Sequence, residues 1–126
     1  MTRHALVALI ALAGCDGLPD KPDEASYRAL DDTGRCKATA PRAIRCTDEL
    51  ILMDLKAVAG DDPALLDGIA DKLHEDKPLP RQERRQNIAV HKNSCVGTPG
   101  YMDAVFACWS IEDCKKFADC VASKLR

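Results

Sequence analysis

The most reactive residues of this chain are its seven cysteines, because a thiol can form a disulfide, ligate a metal or carry a covalent modification. No CxxC pair occurs, and successive cysteines in the tightest run, Cys108 to Cys120, are separated by five residues. Zinc sites use closer ligand spacing, so we expect no metal site and no cofactor. We expect three structural disulfides from six of the cysteines, as is common in small exported domains. These six are Cys36, Cys46, Cys95, Cys108, Cys114 and Cys120.

The seventh cysteine, Cys15, follows an N-terminal segment with the layout of an export signal. Arg3 and His4 precede an uninterrupted apolar run over residues 5–11. This run is much shorter than the about 20 residues that a membrane-spanning helix needs. We therefore expect the segment to direct export and not to remain as a transmembrane anchor.

The sequence LAGC at residues 12–15 resembles the lipobox of bacterial lipoproteins at all four positions. The resemblance implies cleavage before Cys15, a diacylglycerol on its sulfur and an acyl group on its amine. Two or three acyl chains hold a small domain firmly on a membrane. We accordingly expect a signal peptide over residues 1–14, the lipidated cysteine with a polar tether over 15–35, and a helical disulfide-rich domain over 36–126. The expected location is the bacterial cell envelope, on the periplasmic side.

The mature chain is small and weakly acidic. Without residues 1–14, 112 residues remain, enough for one domain with a modest core. They carry 17 Lys and Arg against 20 Asp and Glu, a net charge of −3 with histidine neutral. Binding to nucleic acid depends on an excess of basic groups, so this balance argues against a nucleic-acid partner.

Helix start and stop signals recur along the mature chain, whereas the period-two alternation of a strand is not evident. Asp23, Asp62, Thr98 and the pair Ser110 with Asp113 are the expected caps, and Gly34 and Gly60 are the expected stops. The segments predicted as helical run over residues 23–30, 41–59, 63–77, 80–93, 98–109 and 111–125. We predict an all-α fold, a small disulfide-stapled bundle of four to five helices with antiparallel neighbours.

Helical geometry suggests how the cysteines pair. If residues 99–109 and 111–125 form an antiparallel hairpin, Cys120 returns to the level at which the first helix begins, close to Cys95. We therefore predict a Cys95–Cys120 disulfide. Cys114 lies about 9 Å from Cys120 along one helix, beyond the about 7 Å limit between bridged Cα atoms. The other cysteines allow three pairings, and we favour bonds that tie the first long helix to this hairpin. Those bonds would join Cys36 and Cys46 to Cys108 and Cys114.

Charge is segregated between two neighbouring segments. Residues 61–76 carry a net charge of −5, and residues 77–92 carry +4. One interpretation is a basic face that binds anionic headgroups or an acidic partner. The other, which we favour, is a solvated helical hairpin whose two helices form salt bridges, since surface ion pairs are common and weak. The basic face would consist of Arg81, Arg84, Arg85 and Lys92.

Four of the five mature aromatic residues fall within seventeen positions near the C-terminus: Tyr101, Phe106, Trp109 and Phe117. They could form the wall of a cavity for a lipid tail or another apolar ligand. We favour the simpler interpretation that they fill the core, because apolar residues at helical spacing are usually buried against neighbouring elements.

The sequence offers little for catalysis. The mature chain has two histidines, His74 and His91, and no Gly-x-Ser-x-Gly elbow. A catalytic site needs a nucleophile, a base and a stabilising group that converge, so we expect no enzymatic activity. The favoured hypothesis is a lipid-anchored envelope protein whose helical domain binds another envelope protein. The alternative is a carrier of an apolar ligand or lipid.

Overall fold

The computed structural model describes residues 17–60, 62–75 and 80–126. This part of the chain is helical and contains no strand. Its elements are α1 (Glu24–Arg28), α2 (Asp32–Ala43), a turn of 3-10 helix (Ile44–Cys46), α3 (Thr47–Ala59), α4 (Pro63–Glu75), α5 (Pro80–Gly97), α6 (Tyr101–Ala107) and α7 (Cys114–Leu125). None of these helices is both long and apolar enough to cross a membrane.

Five helices, α2 to α5 and α7, contain at least 12 residues, whereas α1 and α6 are short. Three disulfide bonds connect the described elements. The predicted fold class, an all-α disulfide-stapled bundle of four to five helices, is confirmed when the long helices are counted.

Two predicted helix starts are confirmed by their capping bonds. The Asp23 carboxylate accepts the Ser26 N–H at 3.1 Å and opens α1. The Asp62 carboxylate accepts the Ala64 N–H at 3.1 Å, directly after the proline that begins α4. Aspartate is a strong N-cap because its oxygens satisfy first-turn N–H groups that have no partner within the helix.

The predicted boundaries are wrong between residues 31 and 59. The Asp31 carboxylate caps α2 by accepting the Gly34 N–H at 2.7 Å, so this glycine lies inside a helix and does not end one. Pro41 lies near the end of α2 and not at a helix start. Proline lacks an N–H and is disfavoured inside helices, and here the α-helix gives way to the 3-10 turn shortly after it. That turn divides the predicted helix 41–59.

The second half of the chain also differs from the predicted boundaries. Helix α5 continues to Gly97, beyond the predicted end at residue 93. Helix α6 follows Gly100, whose φ of 81° suits glycine, and is shorter than the predicted segment 98–109. Helix α7 is capped by Asp113, whose carboxylate accepts the Lys116 N–H at 2.9 Å. The predicted cap at Ser110 is therefore too early, because the carboxylate and not the hydroxyl binds the first turn.

The core forms where α6 and α7 pack on one another and on α2, the 3-10 turn and α3. Val105, Phe117 and Val121 have no exposed surface. Tyr101, Phe106 and Trp109 are also buried. The burial of these four aromatic side chains agrees with the favoured interpretation of the aromatic cluster, core filling.

Residues 17–23, which we call the N-terminal strap, lie against one end of the bundle. Arg45 Nη1 donates to the Gly17 carbonyl at 2.5 Å. Trp109 Nε1 donates to the Pro19 carbonyl at 2.7 Å, so the buried indole has a hydrogen-bond partner. Backbone carbonyls of the strap are therefore bound by side chains from two other elements.

Helix α1, which follows the strap, is also held on the domain by side-chain contacts. Tyr27 is completely buried, stacks on Phe106 with 4.0 Å between ring centres, and donates its hydroxyl hydrogen to Asp103 at 2.8 Å. In the strap, Lys21 Nζ lies 4.5 Å from the centre of the Phe106 ring. In the described part of the predicted tether, aromatic packing and hydrogen bonds hold the chain on the domain. Cys15 itself lies outside the described residues.

Each disulfide joins a different pair of elements. Cys36–Cys95 connects α2 to α5, Cys46–Cys114 connects the 3-10 turn to α7, and Cys108–Cys120 connects the end of α6 to α7. The Cα atoms of the three pairs are 5.9, 5.1 and 6.0 Å apart, within the usual range for a bridge. All six cysteines expected to form disulfides therefore do so.

The pairing itself corrects one prediction and part of another. Cys95–Cys120 is wrong because α5 extends through Cys95 and places it beside α2. Cys120 instead bonds to Cys108, since α7 begins only at Cys114. Cys46 reaches Cys114 as favoured, but Cys36 does not reach Cys108.

Candidate functional site

An open groove of about 450 Å³ lies between α3, α4 and α5. Its lining contains both apolar and polar side chains. Apolar lining comes from Ile51, Ala64, Leu65, Gly68, Ile69, Leu73 and Val90, and polar lining from Asp48, Lys72, Glu83, Gln86 and Asn87. It is far larger than the void of about 10 Å³ beside His91 and Tyr101.

Helix α4 creates the groove because it packs on α3 and stands apart from α5. Leu65, Ile69 and Leu73 follow one another at four-residue intervals and so form one row along the helix. The sequence shows this apolar row, but nothing in its spacing tells whether the row is buried. In the structure it lines the groove, and Leu65 is 47% exposed.

Helix α5 presents two different faces. Glu83, Gln86, Asn87 and Val90 follow one face of a helix with 3.6 residues per turn, and this face lines the groove. The residues of the predicted basic face are all exposed, and three of them project from the opposite side of the helix. These three are Arg81, Arg85 and Lys92, with Arg84 between the two faces.

Both helices contribute charged side chains to the groove, Lys72 from α4 and Glu83 from α5. The salt-bridged hairpin stays a prediction for these two helices. Three residues of the predicted basic face, Arg81, Arg85 and Lys92, form a solvent-facing surface on the far side of α5.

His91 is the other candidate for chemistry, and it is enclosed by hydrogen bonds. Its Nε2 lies 2.8 Å from the Cys36 carbonyl, which only accepts, so Nε2 carries the hydrogen. Its Nδ1 lies 3.0 Å from the Tyr101 hydroxyl and therefore accepts that hydrogen. Burial lowers the pKa of His91, opposed in part by the bond to the Cys36 carbonyl, so the ring is neutral near pH 7.

The sulfur atoms of Cys36 and Cys95 and a ring nitrogen of His91 lie within 4.8 Å of one another. Both sulfurs are consumed by the disulfide, which leaves the histidine as the only free ligand of the three. The void beside His91 and Tyr101 measures about 10 Å³, about the minimum that holds a single water. This group is therefore a buried structural network with no room for a substrate.

Arg42 is a buried charge that the sequence does not reveal. It is fully shielded from solvent, and its guanidinium donates to the Trp109 carbonyl at 2.6 Å and to the Ile111 carbonyl. It also lies 3.9 Å from the centre of the Phe117 ring. Desolvation lowers the pKa of Arg42, with a smaller contribution from Arg45, but an arginine remains charged. Arg42 thus fastens the loop between α6 and α7 to α2.

No protein-family model matches this sequence, and comparisons with curated proteins and with solved structures give no match. The fold and the site define a small disulfide-stapled helical protein with an apolar groove. Its function is therefore inferred from the chemistry of its own residues.

Proposed function

We propose that this chain is a lipid-anchored protein of the bacterial cell envelope, whose domain binds an amphipathic helix of another envelope protein. The single observation that carries the binding role is the open apolar groove between α3, α4 and α5. The anchor is inferred from the lipobox resemblance at residues 12–15, outside the described residues. The three disulfides support an exported location, because disulfides persist in oxidising compartments.

A helix is the occupant that the groove suits best. Helix-in-groove recognition places apolar side chains at three- and four-residue intervals into a cleft between helices. The row of Leu65, Ile69 and Leu73 presents this spacing on one wall, and Ile51 and Val90 complete the apolar lining. Leu65 is 47% exposed, so covering it completely contributes about half of the 1.5–3 kcal/mol that full burial of a leucine side chain gives. An occupant would therefore gain most of its affinity from the apolar residues of the groove.

The edges of the groove suggest the polar chemistry of the partner. Lys72 stands on one side, and Asp48 and Glu83 stand on the others. A partner helix with an acidic residue beside its apolar face complements Lys72. Such rim charges set register and specificity more than affinity.

The same domain is proposed to act without catalysis. His91 is sealed by Tyr101 and the Cys36 carbonyl, and the disulfide beside it leaves no free thiol in that group. Binding is then the role for which the described surface has a suitable feature. We expect neither a cofactor nor a nucleic-acid partner, in line with the charge balance.

Site-specific photocrosslinking in native membranes tests the groove against the basic face. Leu65 is replaced by a photoreactive aromatic amino acid in one strain and Arg85 in a matched control. We expect the Leu65 position to crosslink to one envelope protein, through a peptide that has the pattern of an amphipathic helix. Crosslinks from Arg85 alone would overturn the groove and favour the basic face on the far side of α5.

The carrier alternative predicts a different product. A lipid or other apolar molecule crosslinked at Leu65, and present at one copy per protein in native mass spectra, would overturn the protein-binding role. Ile69→Lys serves as a second variant, because a charge in the groove centre should abolish the specific crosslink while Arg85→Glu preserves it.

A further inference from the structure

The N-terminal strap remains bound to the domain up to the first described residue. Arg45 Nη1 holds the Gly17 carbonyl at 2.5 Å, and Trp109 Nε1 holds the Pro19 carbonyl at 2.7 Å. Both donors belong to well-anchored parts of the domain. Trp109 is buried, and Arg45 directly precedes Cys46, which forms a disulfide. The position of Gly17 relative to the bundle is thus defined.

Cys15 is separated from Gly17 by one residue. A chain extends at most about 3.6 Å per residue, so the two Cα atoms lie no more than about 7 Å apart. Acyl chains on Cys15 would therefore enter the membrane within that distance of the strap. This step rests on the proposed lipidation, and it leaves no free length of chain between the anchor and the folded domain.

The surface around Gly17 is formed by the 3-10 turn and the start of α7, which the Cys46–Cys114 disulfide joins. Exposed charges at this end are of both signs. The basic groups are Arg45, Lys115 and Lys116, with Lys21 of the strap, and the acidic groups are Glu112 and Asp113, with Asp20 and Asp23 of the strap. The Asp113 carboxylate is occupied as the cap of α7, where it accepts the Lys116 N–H. Lys115 and Lys116 belong to the first turn of that helix and are free to meet lipid phosphates.

We infer that the lipidated protein lies directly on the phospholipid headgroups, with the 3-10 turn and the start of α7 as its membrane-facing surface. The acyl anchor supplies the affinity, and the strap sets the orientation. The basic side chains of this end then lie at the level of the phosphate groups, where an anionic surface attracts them.

Lysine footprinting on vesicles tests this orientation. Acylated protein is reconstituted into vesicles of phosphatidylethanolamine and phosphatidylglycerol, labelled with an amine-reactive reagent, and digested for mass spectrometry. We expect several-fold slower labelling of Lys115 and Lys116 than in the soluble Cys15→Ser protein mixed with the same vesicles. Lys92, exposed on α5, is the internal control and should label at the same rate in both samples.

The intact mass of the protein shows which hypothesis fails, the proposed anchor or the orientation on the membrane. A chain without acyl mass would overturn the anchor. An acylated chain in which Lys115 and Lys116 label as fast as in the soluble form would overturn the orientation alone. The strap is tested by Arg45→Ala with Trp109→Phe, which should remain acylated but lose the protection, whereas Arg84→Ala should retain it.

Discussion

Arg42 and His91 are polar side chains buried where a small helical bundle usually places apolar ones. Each is matched by hydrogen-bonding groups: Arg42 by the carbonyls of Trp109 and Ile111, and His91 by the Cys36 carbonyl and the Tyr101 hydroxyl. Truncating either side chain leaves buried partners unsatisfied, at a cost of about 1–3 kcal/mol for each group. Single residues therefore fix the relative positions of α2, α5 and the loop between α6 and α7.

His91 gives folding stability a specific pH dependence. Its folded pKa lies below the ordinary value of 6.5, so the unfolded chain binds the proton more tightly. The stabilising contribution is present above pH 6.5 and is lost as the pH falls through 6.5 towards the folded pKa. We expect the free energy of unfolding to decrease between pH 7 and about pH 5, and His91→Gln to remove that part of the decrease. Urea unfolding at several pH values measures both, and equal slopes for the two proteins would contradict the assignment.

For single residues, the sequence predicts which residues have a structural role better than it predicts which residues they contact. The six disulfide cysteines and the caps Asp23 and Asp62 are recognisable because their roles follow from type, number and local position. The Cys95 partner is not recognisable, because it depends on where α5 ends in space. Arg42 resembles any surface arginine in the sequence, since its carbonyl partners lie far along the chain in Trp109 and Ile111.

Among the helices, α4 is the exception in packing. It contacts α3, and none of its described residues belongs to the core. Its row of Leu65, Ile69 and Leu73 lines the groove, whereas the corresponding apolar residues of α6 and α7 are buried. The same periodic pattern thus lines an open groove in one helix and is buried in the core in two others.

A pair of substitutions separates these two uses. Phe106→Ala should destabilise the protein by about 3–5 kcal/mol, because it removes a buried ring that stacks on Tyr27. Leu65→Ser should change stability by only about 0.5 kcal/mol, since much of that side chain is already exposed. Thermal unfolding of both variants gives the comparison. A loss for Leu65→Ser as large as that for Phe106→Ala would show that α4 is part of the core.

The elements were predictable where caps and apolar periodicity agree, as in α1, the start of α4 and the body of α7. They were not predictable at the break between α2 and α3, because the apolar spacing runs through the 3-10 turn without interruption. The groove was not predictable either. The apolar row of α4 is visible in the sequence, but its exposure depends on how far α5 stands from it.

On the scale of the whole molecule, the strap and the groove are formed by different residues. The strap joins the proposed anchor to the end of the bundle at Arg45 and Trp109, and the groove lies between α3, α4 and α5. The basic residues of α5, Arg81 and Arg85 among them, point away from the groove and remain available to solvent. The proposed anchor, the proposed binding groove and this second surface therefore involve different residues.

Cys15→Ser should uncouple anchoring from folding. Only a thiol forms the thioether, so the variant should lose its acyl mass, its processing at this site and its place in the membrane fraction. Its three disulfides should form normally, because the six cysteines of the domain pair among themselves. Intact-mass spectrometry and membrane fractionation make the comparison. A wild-type chain without acyl groups would contradict the lipoprotein hypothesis.

The order of the disulfides along the chain has a further consequence. Cys36 pairs with Cys95 and Cys46 with Cys114, so the two bonds interlace. A backbone cut anywhere between Cys46 and Cys95 leaves two fragments that are still joined by both bonds. Helix α4 lies within that interval and carries neither a cysteine nor a described core residue. Lengthening, replacing or even cutting this groove wall therefore leaves the crosslinked frame joined by both bonds.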